Sequence, residues 1–552
     1  MGSRSELSLS FRPQGDAALL AYLDRGIDPR VNAAVRALAA ALARRPLAGV
    51  KEVLGAYCCL QVQLEPGGPT LAEAQDWVRR LEESLPPPEE ETGRVVEVPV
   101  VYGGEHGPDL EFVARHTGLD PREVIRRHSA PDYLCYVVGF TPGFPFLGGM
   151  DPALNTPRLE VPRGQVPVGA VAIGGAQTGV YPLGGPGGWR LIGRTPLLLY
   201  HPWRDPPGLI TAGDRVRFRP VAEAGFPALP SPAAPEEPTG RPVLRVLRPG
   251  AFTTVQDAGR WGYQYLGVPV SGALDSFSLA AANLLVGNPP EAAALELTLL
   301  GPRLEVLAPV RVAVVGAELG LRLDGRPAPQ GRALSLQPGQ VIDFGGPPRG
   351  ARAVLAVAGG IASPVMLGSR SAYPLGLLGG PLQRCQVLRA GPEPPAPPQH
   401  TLEPELVPVP RGELTLRVVP GPNQEFFTPA GQRTFFSSAY RLTQQSDRRG
   451  MRLQGPAVEL DPRMPSSMVS EPLTPGVVQV PAGGQPIIQL REQTVGGYAK
   501  IATVISADLD RLARALPGTT LRFQPVTPEE GHAAARRRTR RLARLARALG
   551  RG

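Results

Sequence analysis

The stretch PGVVQVPAGGQPIIQLREQTVGGY (475–498) decides the reading of this chain, because its outline occurs twice. Residues 166–182 read VPVGAVAIGGAQTGVYP. Both carry a short apolar run, a Gly-Gly turn, and a Gln-Thr pair followed by Gly and Tyr. Gln177, Thr178, Gly179 and Tyr181 echo Gln493, Thr494, Gly497 and Tyr498. Each block closes on an Arg-Phe strand, RFRPV at 217–221 and RFQPV at 522–526, and the unequal spacing implies an insertion in one copy. Short strands broken by glycine and proline predict β-structure. Two copies predict a pair of related β-barrels, since a solenoid needs more repeats.

Working outward, VNAAVRALAAALARR (31–45) and TLAEAQDWVRRLEESL (70–85) have helical spacing, with Thr70 as an N-cap, and they flank the strand AYCCLQVQL (56–64). Residues 1–93 are therefore expected to form a small α+β domain that ends in the linker PPPEEETG (86–93). Residues 94–225 read as a barrel interrupted by one helix around 108–130, and the Pro-rich segment 226–242 as a linker. A β-rich domain is expected over 243–410, with a helix from Asp275 to Leu285. The second barrel follows over 411–526 and a basic tail over 527–552. The expected fold class is mainly β with α+β parts.

Composition removes several classes. The net charge of +9 is misleading, because eight arginines and no acid lie in 531–552, and 9 − 8 leaves +1 for the rest. A near-neutral body offers no nucleic-acid footprint. The tail reads as a basic helix, with Leu542, Leu545 and Leu549 on one stripe, that extends into solvent or else touches RNA, an anionic membrane or an acidic partner. No apolar run of membrane-spanning length and no apolar signal core occur, so the expected location is cytoplasmic, with no membrane span. Cys58, Cys59, Cys135 and Cys385 lack metal-ligand or disulfide spacing and are expected to be buried small hydrophobes. The six histidines are scattered, and no metal site is expected.

Of 58 Lys and Arg residues only Lys51 and Lys500 are lysine. Neither has Walker context, so any nucleotide site is not a P-loop. Neither sits in a biotin-carrier hairpin, and a G-x-S-x-G elbow is absent. Lys500 lies in a Gly-Tyr loop, where a compact ammonium suits a phosphate or carboxylate as a point charge. Lys51 sits in an ordinary strand entry. In QTGVYPLGGPGGWRLIGRTP (177–196) the glycines either open an anion nest or serve tight turns. GFTPGFPFLGGMDP (139–152) is an aromatic hairpin, and Asp257 with Arg260 reads as a salt bridge or a clamp.

These motifs carry a resemblance. HSAPDYLCYVVGFTPGFPFLGGMDP (128–152), VPRGQVPVGAVAIGGAQTGVYP (161–182) and PGGWRLIGRTP (186–196) resemble the family called allophanate hydrolase subunit 1 or KipI, the 5-oxoprolinase B subunit. VLRPGAFTTVQDAGRWGYQYLGVPVSGALD (246–275), VLAVAGGIASPVMLGSRS (354–371) and GGYAKIATVISADL (496–509) resemble subunit 2 or KipA, the C subunit. The pair also resembles the carboxyltransferase region of urea carboxylase. The resemblance spans about residues 7–526 and implies a fusion split near 226–242.

The resemblance implies one cyclophilin-like barrel in each half. It implies a LamB/YcsF-type A subunit as partner, and cleavage of a small lactam, 5-oxoproline, with ATP and Mg2+ as co-substrate. It makes Lys500, Asp257 and Arg260 the catalytic candidates. Arg163 and Arg194 join Lys500 and Arg260 as candidates for phosphate or carboxylate. Gln177, Thr178, Tyr181, Gln493, Thr494 and Tyr498 are candidates for orienting substrate. Asp257 is assigned to Mg2+ or an arginine, and His128 to the site or to a helix cap. Two alternatives remain: a regulator that binds a sensor histidine kinase, and a carboxyltransferase whose biotin arrives on another chain, none being bound here. The family's usual Asp-Arg-Gln-Thr-Thr-Gly-Gly-Tyr-Pro-Lys reads Arg491-Glu492-Gln493-Thr494-Val495-Gly496-Gly497-Tyr498-Ala499-Lys500, so the polar lining departs there.

Overall fold

The computed structural model describes residues 9–24, 26–85, 93–226, 238–346, 348–465 and 467–551. The linkers expected at 86–93 and 226–242 lie mostly outside them. The chain is mainly β, with one closed seven-stranded barrel in each half, as expected.

The N-terminal domain is an antiparallel sheet in the order Ser10–Pro13, Ala18–Tyr22, Cys59–Leu64, Val50–Gly55. Helices Pro29–Arg44 and Leu71–Glu83 pack on it. Thr70 caps the second helix in a full capping box with Glu73. Leu60, Val62 and Leu64 share a core with Val35, Leu38 and Val78. The alternate positions Gln61 and Gln63 face the other way. Gln61 donates to Gln14, Gln63 donates to Gln61 at 2.6 Å, and Gln14 donates to the Pro472 carbonyl at 3.1 Å. This glutamine ladder ties the first domain to the second barrel.

The two barrels share one topology. In each, the first and last strands run parallel: Val95–Tyr102 beside Arg215–Pro220, and Glu413–Pro420 beside Thr520–Pro525. Numbered in order of occurrence, the strands of both rings follow the cycle 5-3-2-7-1-6-4. Register corrects the sequence echo. Leu191 pairs with Ala172, and the ladder slips before Gly193 meets Val171. Lys500 pairs with Gln479, and the ladder slips before Ala502 meets Val478. Lys500 therefore stands where the first barrel has Leu191. Gly187-Gly188-Trp189 corresponds to Gly496-Gly497-Tyr498, and the Gln177-Thr178 pair does not correspond to Gln493-Thr494.

Two other expectations change. The single helix expected around 108–130 is two, Leu110–Thr117 and Pro121–Ser129. Gly118, left-handed at φ 71°, ends the first, and Asp120 caps the second, with Pro121 in its first turn. The basic tail is not a solvated extension. Pro528–Ala548 is a helix with a Thr527–Glu530 capping box, and Leu545 and Leu549 are buried beside Phe277 and Leu284. Its Arg538 pairs with Asp510 at 2.6 Å. Cys385, expected inside, is exposed.

Between the barrels lie a six-stranded and a five-stranded sheet with the helix Ser276–Leu285. The buried Arg448 joins this middle domain to the second barrel. It bonds to Glu296, to Glu492 at 2.5 Å and to the Gly272 carbonyl at 2.7 Å. Arg448→Met strands two buried carboxylates and is expected to cost about 3–5 kcal/mol in urea unfolding. Arg245→Ala, which removes an exposed pair with Glu305, should stay within about 1 kcal/mol.

Candidate functional site

The segment Arg491–Lys500 threads the junction of the domains. Arg491 donates to the Ala258 and Ser271 carbonyls of the middle domain at 3.2 Å each. Glu492 meets Arg448. Val495 joins the core shared by the N-terminal domain and the first barrel, close to Gly139. Val495–Gly496 then pairs with Glu471–Pro472, and Gly496 stands opposite Glu471.

At the end of this segment Lys500 is 0% exposed. Its Nζ donates to Glu471 Oε2 at 2.6 Å, and Met468 Sδ lies 4.0 Å away. Its backbone N–H donates to Asn423 Oδ1 at 3.1 Å. Tyr22 and Cys59, cross-strand neighbours in the N-terminal sheet, come close enough to feel this pair. Burial and the charge of Glu471 push the Tyr22 hydroxyl upward. The Cys59 thiol is also pushed up, by its hydrogen bond with Cys58 and by burial. The Thr494 hydroxyl is buried without a hydrogen-bond partner. Buried polar atoms left unpaired in this way are costly and mark places where a ligand could be received.

The first barrel repeats the arrangement with its charges redistributed. Gly187 stands opposite Arg163, as Gly496 stands opposite Glu471. The Leu191 N–H donates to Asp109 at 2.7 Å, as the Lys500 N–H donates to Asn423. Arg163 pairs with Asp109 at 2.9 Å. One barrel thus carries Asp109, Arg163 and Leu191 where the other carries Asn423, Glu471 and Lys500. A leucine serves this strand position in one barrel, so the fold does not demand the lysine. Asp109, Asn423 and Glu471 were missed from sequence, since only the ladder register brings them to the site.

The remaining candidates fall elsewhere. Asp257 and Arg260 form no pair with each other. Asp257 accepts from Ser369 Oγ at 2.6 Å, Ser371 Oγ at 2.5 Å, the Arg370 N–H at 2.6 Å and the Gly259 N–H at 2.8 Å. Buried Arg260 donates to the Met366 and Ser371 carbonyls at 3.0 and 2.7 Å. Both residues clasp the Met366–Ser371 loop. Asp257, with both oxygens occupied, does not fit a Mg2+ ligand. Among the described residues no group of three or more His, Cys, Asp or Glu could hold a metal ion.

Arg194 donates to the Val168 carbonyl at 2.8 Å and stacks over Phe226. The four cations expected to hold phosphate are each engaged by protein groups, with Arg163 Nη1 and Arg260 Nη1 left buried without a partner. Gln177 donates to Tyr57 at 2.6 Å. Tyr181 is buried beside Gly187, its hydroxyl pushed up to about 12 by burial. Gln493 is half-buried, and Tyr498 is 41% exposed.

His128 lies inside the first barrel, not at a helix cap. The Thr178 hydroxyl gives its proton to the Ala172 carbonyl at 2.9 Å, so His128 Nε2–H donates to Thr178 at 2.8 Å. His128 Nδ1 then accepts from the Tyr102 hydroxyl at 2.8 Å. Burial lowers the histidine to about 3.

The two barrels and their paired polar sites define a two-part carboxyltransferase-domain protein, and the chain belongs to that family. The model of carboxyltransferase subdomains C and D matches residues 9–210, and that of subdomains A and B matches 266–525. The first half is 43% identical over 225 residues to the 5-oxoprolinase B subunit of Bacillus subtilis, covering 39% of this chain and 93% of that one. The second is 38% identical over 307 residues to the 5-oxoprolinase C subunit of Escherichia coli, covering 55% of this chain and 98% of that one. A urea amidolyase of Lachancea kluyveri is 33% identical over 314 residues, covering 51% of this chain but only 17% of that enzyme. The crystal structure of TTHA0988 superposes with a TM-score of 0.83 at 37% identity, covering 92% of this chain and 99% of that one.

Two measurements probe the buried charges. Lys500→Leu leaves Glu471 buried and unpaired, with an expected cost of about 3–5 kcal/mol in urea unfolding, and adding Glu471→Leu should recover most of it. A double variant no more stable than the single one would mean that this barrel needs the charge. For His128, the folded value of about 3 lies below the unfolded value near 6.5. Its contribution is complete above about pH 6.5 and is lost as pH falls toward 3, by about 1.4 kcal/mol per unit. Urea midpoints between pH 7 and 4 should show this slope, reduced in His128→Gln.

Proposed function

We propose that this chain is the fused B and C component of an ATP-dependent 5-oxoprolinase, opening 5-oxoproline to glutamate together with a LamB/YcsF-type A subunit. One observation carries the reading: the two halves cover nearly the full length of a B subunit and of a C subunit of 5-oxoprolinase. Lys500 is the central group. Its ammonium, held in a dry junction, suits the carboxylate of a small cyclic amide acid or the charge that develops on its amide oxygen. Glu471 orients Lys500 and yields it when the substrate anion arrives. The Thr494 hydroxyl offers a hydrogen bond to the amide. ATP would supply the driving force for ring opening, and we assign its binding to the assembled complex.

Carboxyl transfer is the second reading, favoured by the family to which both halves belong. Lys51 is a strand residue that reaches Glu65 at 3.7 Å, and Lys500 is enclosed, so biotin would have to arrive on another protein. The test is ATP hydrolysis by the full chain with an A subunit, with and without 5-oxoproline. Stimulation by 5-oxoproline is expected, and the Lys500→Leu, Glu471→Leu protein should lose it. Absence of stimulation, with carboxyl transfer from a biotin carrier to a small amide instead, would replace the first reading by the second.

A further inference from the structure

Beneath the C-terminal helix lies a cavity of about 250 Å³. Arg417, Arg511, Arg514, Arg537, Arg538 and Arg541 line it, against only Asp508 and Asp510. The aspartates are already neutralised: Arg417 pairs with Asp508 and Arg538 with Asp510, both at 2.6 Å. Arg514, 2% exposed, pairs with Asp275 at 2.9 Å, yet its Nε is buried without a partner. Arg511 stands 3.8 Å from Asp508, which Arg417 already holds. Arg537 and Arg541 have no hydrogen bond or ion pair among the described residues. They are four residues apart and so share one face of the helix with Arg538.

We propose that this cavity binds a phosphate-class oxyanion. Three guanidinium groups without a dedicated carboxylate, beside a buried N–H that lacks an acceptor, repel one another until an anion joins them. Guanidinium forks match the oxygens of phosphate in pairs, and charge-assisted bonds of this kind are the strong ones. The volume is below the roughly 300–1,000 Å³ of pockets that hold drug-sized ligands, which favours one or two phosphate groups over a whole nucleotide. The cavity shares none of its lining residues with the Lys500 junction, so the site is separate from it and stands whether or not the lactam reading does.

Titration calorimetry of the full chain with inorganic phosphate and with pyrophosphate, at ionic strength held constant with chloride, tests it without any partner. Saturable binding is expected, and the preferred probe separates one phosphate group from two. Arg537→Gln with Arg541→Gln changes exposed side chains and should weaken binding about tenfold or more, as two lost charge-assisted contacts imply. Arg540→Gln with Arg544→Gln removes the same charge from residues outside the cavity and should leave binding unchanged. No saturable heat with either probe would overturn the proposal. So would equal weakening by the two variants, which would reduce the effect to the general charge of the helix.

Discussion

Arg448 is the constraint on which the arrangement of domains depends. A guanidinium so largely withdrawn from water is tolerable only when its donors are met, and here they reach Glu296, Glu492 and the Gly272 carbonyl. Glu296 belongs to the middle domain and also accepts the Leu274 N–H at 2.7 Å, while Glu492 opens the segment that leads to Lys500. The same guanidinium therefore joins two domains and anchors the residues that cross the junction. Hydrophobic contact alone would allow the barrel to slide against the sheets, whereas a three-way polar contact permits one register.

The two barrels show how one scaffold can move its charge. The strand position filled by Leu191 in one barrel holds Lys500 in the other, and the residue opposite the glycine changes from Arg163 to Glu471. Each barrel keeps one ion pair at this end, but built from different positions. In the first, the cation is Arg163, opposite Gly187, and is 30% exposed. In the second, the cation is on a barrel strand and fully enclosed. The exposed version resembles an ordinary structural clamp. The enclosed version is the one that chemistry could use.

Much of the fold was legible in the sequence. Glycine and proline punctuation predicted short strands, and the repeated block predicted two barrels. The family resemblance matched the comparisons at both halves. The register of the repeat was misread because the Gln-Thr pair is a local coincidence, whereas ladder pairing depends on contacts far apart in the chain. The Asp257 and Arg260 pairing was misread for a related reason, since their partners at 366–371 lie more than a hundred residues away. Lys500 stood out only because this chain so rarely uses lysine. Its partner Glu471 gave no local signal, because a lone glutamate among prolines reads as surface. The leucine stripe of the C-terminal helix was visible, but the surface that buries it, around Phe277 and Leu284, lies more than two hundred residues away in the chain.

The glutamine ladder from Gln63 through Gln61 and Gln14 to Pro472 joins the first domain of one half to the barrel of the other. Between two separate chains, such a contact forms by collision and dissolves on dilution. On one chain its closure is an intramolecular event, favoured by an effective concentration that separate chains lack. Occupancy of the Lys500 junction then no longer depends on how much protein is present. The two halves are also held at a one-to-one ratio that independently synthesised partners would have to reach by regulation.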